Sequence, residues 1–105
     1  MRCGQLRSVA ALHAEGHGHF DIKPENIVHM ELGWWLIDFD AAMDLRSGGS
    51  LGRYTAAYMA PEAAHAARRG KLEEYVPSTA YDAWSVGMVL ARVALGELLK
   101  PKPAE

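Results

Sequence analysis

The stretch HFDIKPENIV, residues 19–28, decides how this 105-residue chain is read. It sets an acid, Asp21, a cation, Lys23, and an amide, Asn26, around Pro24. Proline lacks a backbone N–H and pushes the residue before it out of the helical region, so no continuous helix runs through the stretch. The three polar side chains are expected on a loop, where they can converge on one ligand.

The flanks give that loop a frame. Upstream, Leu6, Val9, Ala10 and His13 repeat at helical spacing within QLRSVAALHAE, which predicts a helix over 5–15 ended by Gly16 and Gly18. Downstream, Ile27 and Val28 read as a short strand, Glu31, Leu32 and Gly33 as a turn, and Trp34 to Ile37 as the return strand that delivers Asp38. Residues 40–60 lack periodicity, and SGGSLG at 47–52 is flexible by composition. An alanine-rich helix is expected from Glu62 to Arg69 with Pro61 at its first turn. A polar connection, GKLEEYVPS at 70–78, leads to a last helix from Tyr81 to Leu99. Ser78 or Thr79 is its candidate cap, and Asp82 suits its positive end. That helix is apolar nearly all round and is expected to be buried on most sides. The tail KPKPAE, 100–105, is polar.

Composition removes several function classes. Half the residues are apolar, 23% are charged and the net charge is −2, so there is no electrostatic grip for nucleic acid or an acidic membrane. The lone Cys3 excludes an internal disulfide and fits a reducing, cytoplasmic setting. Arg7 and His13 interrupt any signal-peptide core near the start. AWSVGMVLARVALGELL, 83–99, contains Arg92 and Glu97 and falls short of the ~18 uncharged residues of a spanning helix. His13, His17 and His19 invite a zinc reading, since His13 and His17 could share a helix face, but His17 is expected to be exposed and the trio is not the favoured reading.

HFDIKPEN, LIDFD, YMAPE and YDAWSVG, in that order, resemble the C-terminal lobe of the eukaryotic protein kinases over about residues 6–99. The family's catalytic loop H-R-D-L-K-x-x-N is matched by residues 19–26, its D-F-G by Asp38-Phe39-Asp40, its A-P-E by Ala60-Pro61-Glu62, and its D-x-W-S-x-G by residues 82–87. Four ordered motifs are far more specific than one. The resemblance implies a mainly α fold with a short β-hairpin: helix, catalytic loop, two short strands, activation segment and two helices. It implies ATP-dependent phosphoryl transfer to serine or threonine hydroxyls of proteins, a reaction of positioning and charge stabilisation. Asp21 would accept the hydroxyl proton, and Lys23 would steady the γ-phosphate. Asn26 and Asp38 would hold Mg²⁺ through oxygen. Thr55 would bond the catalytic aspartate, Asp82 would brace the loop's backbone, and His19 and Phe39 would be structural. Taken singly, each residue has a plainer reading: turn formers at Asp21 and Asn26, a solvated lysine, a capping Asp38.

The departures carry their own expectations. Phe20 stands where the family has an arginine that reads a phosphate on the activation segment, so phosphorylation at Ser47, Ser50 or Thr55 is not expected to switch activity in the usual way. Asp40 replaces a glycine, and is either an extra Mg²⁺ contact or a mark of lost catalysis. Neither G-x-G-x-x-G nor V-A-I-K lies among the 18 residues before His19, and no later helix supplies Glu62 with an arginine partner. The expectation is an incomplete domain, inactive alone, that needs an N-lobe or another chain over its apolar surface. The alternatives are a pseudokinase used as an interaction module and a small-molecule phosphotransferase of the aminoglycoside or choline kinase type. A glycosyltransferase reading of D-F-D leaves the other motifs unexplained.

Overall fold

A computed structural model describes residues 7–31 and 33–99. The element order is α1 (Val9–Ala14), β1 (His17–Gly18), β2 (Ile27–Met30), β3 (Gly33–Leu36), β4 (Met43–Asp44), α2 (Pro61–Arg68) and α3 (Thr79–Leu99). Single 3-10 turns fall at Pro24–Asn26, Ala56–Tyr58 and Leu72–Glu74. This is the expected mainly α architecture around a short hairpin.

The first helix starts later than its periodicity predicts. Arg7 is taken into an antiparallel bridge with Leu36, its N–H donating to the Leu36 carbonyl at 3.3 Å. The Ser8 hydroxyl then accepts from the Ala11 N–H at 3.1 Å and caps the helix at Val9. Gln5 and Leu6 lie outside the described residues, as do Leu32 of the expected turn and the tail from residue 100. Gly16 closes the helix with φ +81°.

β2 and β3 pair antiparallel in register Ile27↔Leu36 to Met30↔Gly33, so Gly33 belongs to the strand rather than the turn. Ile37 lies beyond β3, yet its N–H donates to the Asn26 carbonyl at 2.9 Å. That bond carries the pairing one step further and sets Asn26 beside the approach to Asp38. A second pairing, β1 with β4, was not legible: two-residue strands are too short for any periodicity. His17 sits in it half-buried, not exposed as expected.

Two apolar clusters fix the frame. Leu12, Ile22, Leu36, Phe39 and Val89 tie α1, the loop, the hairpin and α3 together. Phe20, Leu51, Met59, Ala60, Ala63 and Tyr81 tie the loop to the segment before α2 and to α3. α3 begins at Thr79, two residues early, with the Ser78 hydroxyl accepting from the Ala80 N–H at 3.3 Å.

α3 is buried on one face only, through Tyr81, Asp82, Ser85 and Val89. Leu90, Val93 and Leu95 are exposed at 65%, 53% and 54%, against the expectation of burial on most sides. The described chain offers too few elements to surround a helix that is apolar all round. An open groove of about 330 Å³ lies along it, lined by Val9, Ile27, Trp34, Val86, Leu90 and Val93 among others. Among the described residues no helix is long and apolar enough to cross a membrane.

Candidate active site

The loop at 19–26 leaves β1 in a sharp turn, and the backbone shows the tension. Phe20 has φ +63° and Asp38 has φ +59°, left-handed values that are uncommon outside glycine and rarest for a bulky side chain such as Phe20. Each costs of order 1–3 kcal/mol, and such conformations persist only where the surroundings over-determine them.

Asp82 supplies that determination for the first. Its carboxylate, fully buried in the first turn of α3, accepts the His19 N–H at Oδ2 and the Phe20 N–H at Oδ1, both at 2.9 Å. His13 on α1 donates its Nε2–H to the same Oδ2 at 2.9 Å. A buried carboxylate needs such donors, because charge without partners is strongly disfavoured in an apolar interior. Three donors from two segments turn Asp82 into the anchor of the loop. The Phe20 ring then goes inward, 1% exposed, edge-on to Tyr81 at 6.0 Å.

The loop's chemistry faces the other way. The Asp21 N–H donates to His19 Nδ1 at 3.1 Å, which places the ring proton on Nε2, where it donates to the Ile37 carbonyl at 3.0 Å. His19 also packs edge-on against Phe39, centroids 5.5 Å apart. One imidazole thus joins the loop to the Asp38 segment from both sides. Asn26 donates its amide to the Asp21 carbonyl at 2.8 Å, which closes the loop across Pro24.

Asp21, Lys23 and Thr55 form a triangle. The Thr55 hydroxyl donates to Asp21 Oδ1 at 2.9 Å, Lys23 Nζ donates to that hydroxyl at 3.0 Å, and the same Nζ lies 3.6 Å from Asp21 Oδ2. Asp21 is 8% exposed, and its carboxylate is oriented by a hydroxyl and a cation. Thr55 itself is carried by a 3-10 turn, the Tyr58 N–H donating to the Thr55 carbonyl at 3.0 Å. Ser85 on α3 pins that turn by donating to the Tyr58 carbonyl at 2.7 Å.

Asp38 is half-buried, and its Oδ1 accepts the Asp40 N–H at 3.2 Å. Asp40 is exposed, and its carboxylate is engaged by Arg53 Nη1 at 3.0 Å. Glu62 is exposed at the start of α2, with no ion pair among the described residues. Among the described residues there is no group of three or more His, Cys, Asp or Glu able to hold a metal ion, so the histidine trio gathers none. His13 and His19 are spent on Asp82 and on the loop instead.

The structure thus brings together His19, Asp21, Lys23, Asn26, Phe39, Thr55 and Asp82, and keeps Asp40 and Glu62 at the surface. Sequence reasoning placed His13 only on a helix face and Ser85 only within the 82–87 motif, and assigned no role to Arg53. The spacing of His13 from Gly16 and of Ser85 from Asp82 carried no signal of its own, because each partner is distant in the chain.

Comparison with known proteins agrees with this arrangement. The protein kinase domain family matches residues 4–104. The chain is 37% identical over 102 residues to the probable serine/threonine-protein kinase PkwA of Thermomonospora curvata, covering 91% of this chain and 12% of that protein. It is 39% identical over 100 residues to protein kinase gsk3 of Schizosaccharomyces pombe, covering 91% and 24%, and 34% identical over 102 residues to human serine/threonine-protein kinase Kist, covering 90% and 24%. In fold it is similar to the Cydia pomonella granulovirus kinase PK-1, with a TM-score of 0.64 at 22% identity, over 81% of this chain and 29% of that one. The chain therefore spans between 12% and 24% of the length of these curated relatives. Matched over nearly all of its length, the chain belongs to the protein kinase domain family.

Proposed function

We propose that this chain is the acceptor-side part of a serine/threonine protein kinase domain, transferring the γ-phosphoryl group of ATP to a protein hydroxyl. The observation that carries the reading is the Asp21–Lys23–Thr55 triangle. In this reading Asp21 takes the proton of the attacking hydroxyl, Thr55 holds the carboxylate in orientation, and Lys23 places positive charge beside it. A pair of oxygen donors fits a hard divalent cation: Asn26 uses its amide N–H₂ within the loop and keeps its amide oxygen available, and Asp38 contributes a carboxylate at the hairpin base. Mg²⁺ bound with ATP supplies neutralisation of phosphate charge at this place. Asp40 is a weaker candidate for the cation than Asp38, because Arg53 already holds its carboxylate.

The open face of α3 supports the further proposal that an ATP-holding lobe or another chain completes the unit. Its exposed Leu90, Val93 and Leu95 are the kind of apolar patch that marks an interface. The test is phosphoryl transfer to a serine peptide by the chain fused behind a kinase ATP-binding lobe, wild type against Asp21→Asn. Loss of at least about a hundredfold in the variant is expected for removal of a general base. Equal rates in the two would take Asp21 out of the mechanism.

A further inference from the structure

Between β4 and the end of α2 the chain changes character. Residues 45–69 carry four arginines, Arg46, Arg53, Arg68 and Arg69, against one acid, Glu62, although the chain as a whole has a net charge of −2. This is the segment whose Thr55 hydroxyl touches Asp21. Two guanidiniums flank the Thr55–Tyr58 turn itself. Arg53, two residues before Thr55, is 58% exposed in its side chain. Arg92 reaches the turn from α3, its guanidinium lying 5.3 Å from the centroid of the Tyr58 ring. Arg92 is exposed, and among the described residues no carboxylate pairs with it.

The turn is otherwise small and open: Gly52, Ala56 and Ala57 are exposed and carry no charge. Lys23 also reaches Thr55, but its cation is held against Asp21, so the further charge at the turn comes from the two arginines. Arg53 is partly spoken for, since Asp40 Oδ2 accepts from its Nη1 at 3.0 Å. That pair is exposed at both ends, 58% and 57%, and an ion pair in that setting contributes only about 0–1 kcal/mol. A guanidinium has five N–H donors in a planar fork, so Arg53 can keep Asp40 and still receive a carboxylate.

We infer that the surface beside Asp21 selects acceptor segments rich in acidic side chains, with Arg53 and Arg92 as the specificity-determining residues. This deepens the kinase reading and rests on it for the identity of the acceptor. Arginines beside the turn that touches Asp21 attract acidic peptides, repel basic ones, and leave neutral ones to contacts with the alanines.

The test is binding of fluorescein-labelled serine peptides to the 105-residue chain, followed by anisotropy. Three probes differ only in their flanks: glutamate, glutamine or lysine. The glutamate peptide is expected to bind about tenfold more tightly than the glutamine peptide and the lysine peptide most weakly, with the differences shrinking as salt is raised. Arg53→Ala and Arg92→Ala should each weaken the glutamate peptide about two- to fivefold, as expected for exposed charge pairs. Arg92→Lys keeps the charge and should keep most of the preference, which separates a charge effect from a folding defect. Equal affinity for the glutamate and glutamine peptides, no binding of any peptide, or an undiminished preference in the double alanine variant overturns the inference. Phosphoryl transfer by the lobe fusion without any preference for acidic flanks overturns it while leaving the kinase reading intact. Acidic preference in binding with no transfer does the reverse.

Discussion

The Phe20 ring occupies the space where a side chain at Gly18 would begin. A Cβ built on Gly18 falls against the ring carbons Cζ, Cε1 and Cε2 of Phe20, so the glycine and the phenylalanine fit only as a pair. Gly18→Ala should therefore destabilise the chain by about 1–3 kcal/mol, the range for overpacking a filled core. Urea unfolding checks it, and in a Phe20→Leu background the same change should be markedly milder, as expected for residues in contact.

The same ring bears on control. Phe20 is packed with Leu51, Met59 and Ala60, so the segment leading to α2 is held by apolar contact where a charged residue would have needed a phosphate. Phosphate at Ser47 or Ser50 finds no cation at residue 20. Stoichiometric phosphorylation there should leave phosphoryl transfer by the lobe fusion within about twofold of the unmodified protein. An activation well beyond that range would show that another cation reads the phosphate.

Asp82 is the most exacting single position. Asparagine keeps its size but has one accepting oxygen for the His19 and Phe20 N–H groups, and it turns an N–H₂ towards one of them. Asp82→Asn should lower stability by about 2–4 kcal/mol, since charge-assisted bonds are lost and a buried donor is left unpaired. Hydrogen exchange at the His19 and Phe20 amides should accelerate in the variant. His13→Ala, which removes only a partly exposed donor, should cost clearly less.

How much of this was legible beforehand follows the range of the interactions. The loop at 19–26, the hairpin and α2 were read from residues close in sequence: Pro24, the apolar strands, Pro61. The four motifs placed Asp21, Lys23, Asn26, Asp38 and Asp82 in one frame by resemblance. The rest depends on partners brought together by folding. Arg7 left its helical pattern because Leu36 offered a strand edge, a contact no local period reports. Arg53 carried no reading of its own, because its partner Asp40 lies 13 residues away in the chain. The apolar period of α3 is silent on whether neighbours exist to cover it.

Tyr81 gives the chain a dependence on alkaline pH. Its phenol, 2% exposed, is pushed up above its ordinary value chiefly by burial, with Tyr75, Asp21, Asp82 and Tyr54 adding to the effect. Ionisation is disfavoured in the folded state, so the folded chain holds this proton more tightly than the unfolded one. The contribution is complete below the unfolded phenol's pKa of about 10 and is lost as pH rises beyond it. Urea midpoints should fall above that pH in the wild type, and Tyr81→Phe should flatten the decline.

The bonds from Asp82 to His19 and Phe20 span 63 and 62 residues of chain. Loop-closure entropy slows contacts of such reach, so the turn at Phe20 is expected to order no earlier than α3. At about 5–20 residues per second, the ribosome has finished His19 several seconds before it adds the aspartate that holds it. In that interval Phe20 and the Asp21 loop have no anchor, and the strained backbone has no reason to form. Pulse-labelled refolding should show the His19 and Phe20 amides gaining protection together with α3 and after α1, and earlier protection would place the ordering of the loop before its anchor. The shape of the 19–26 loop is thus expected late in the life of the chain, set by the arrival of α3.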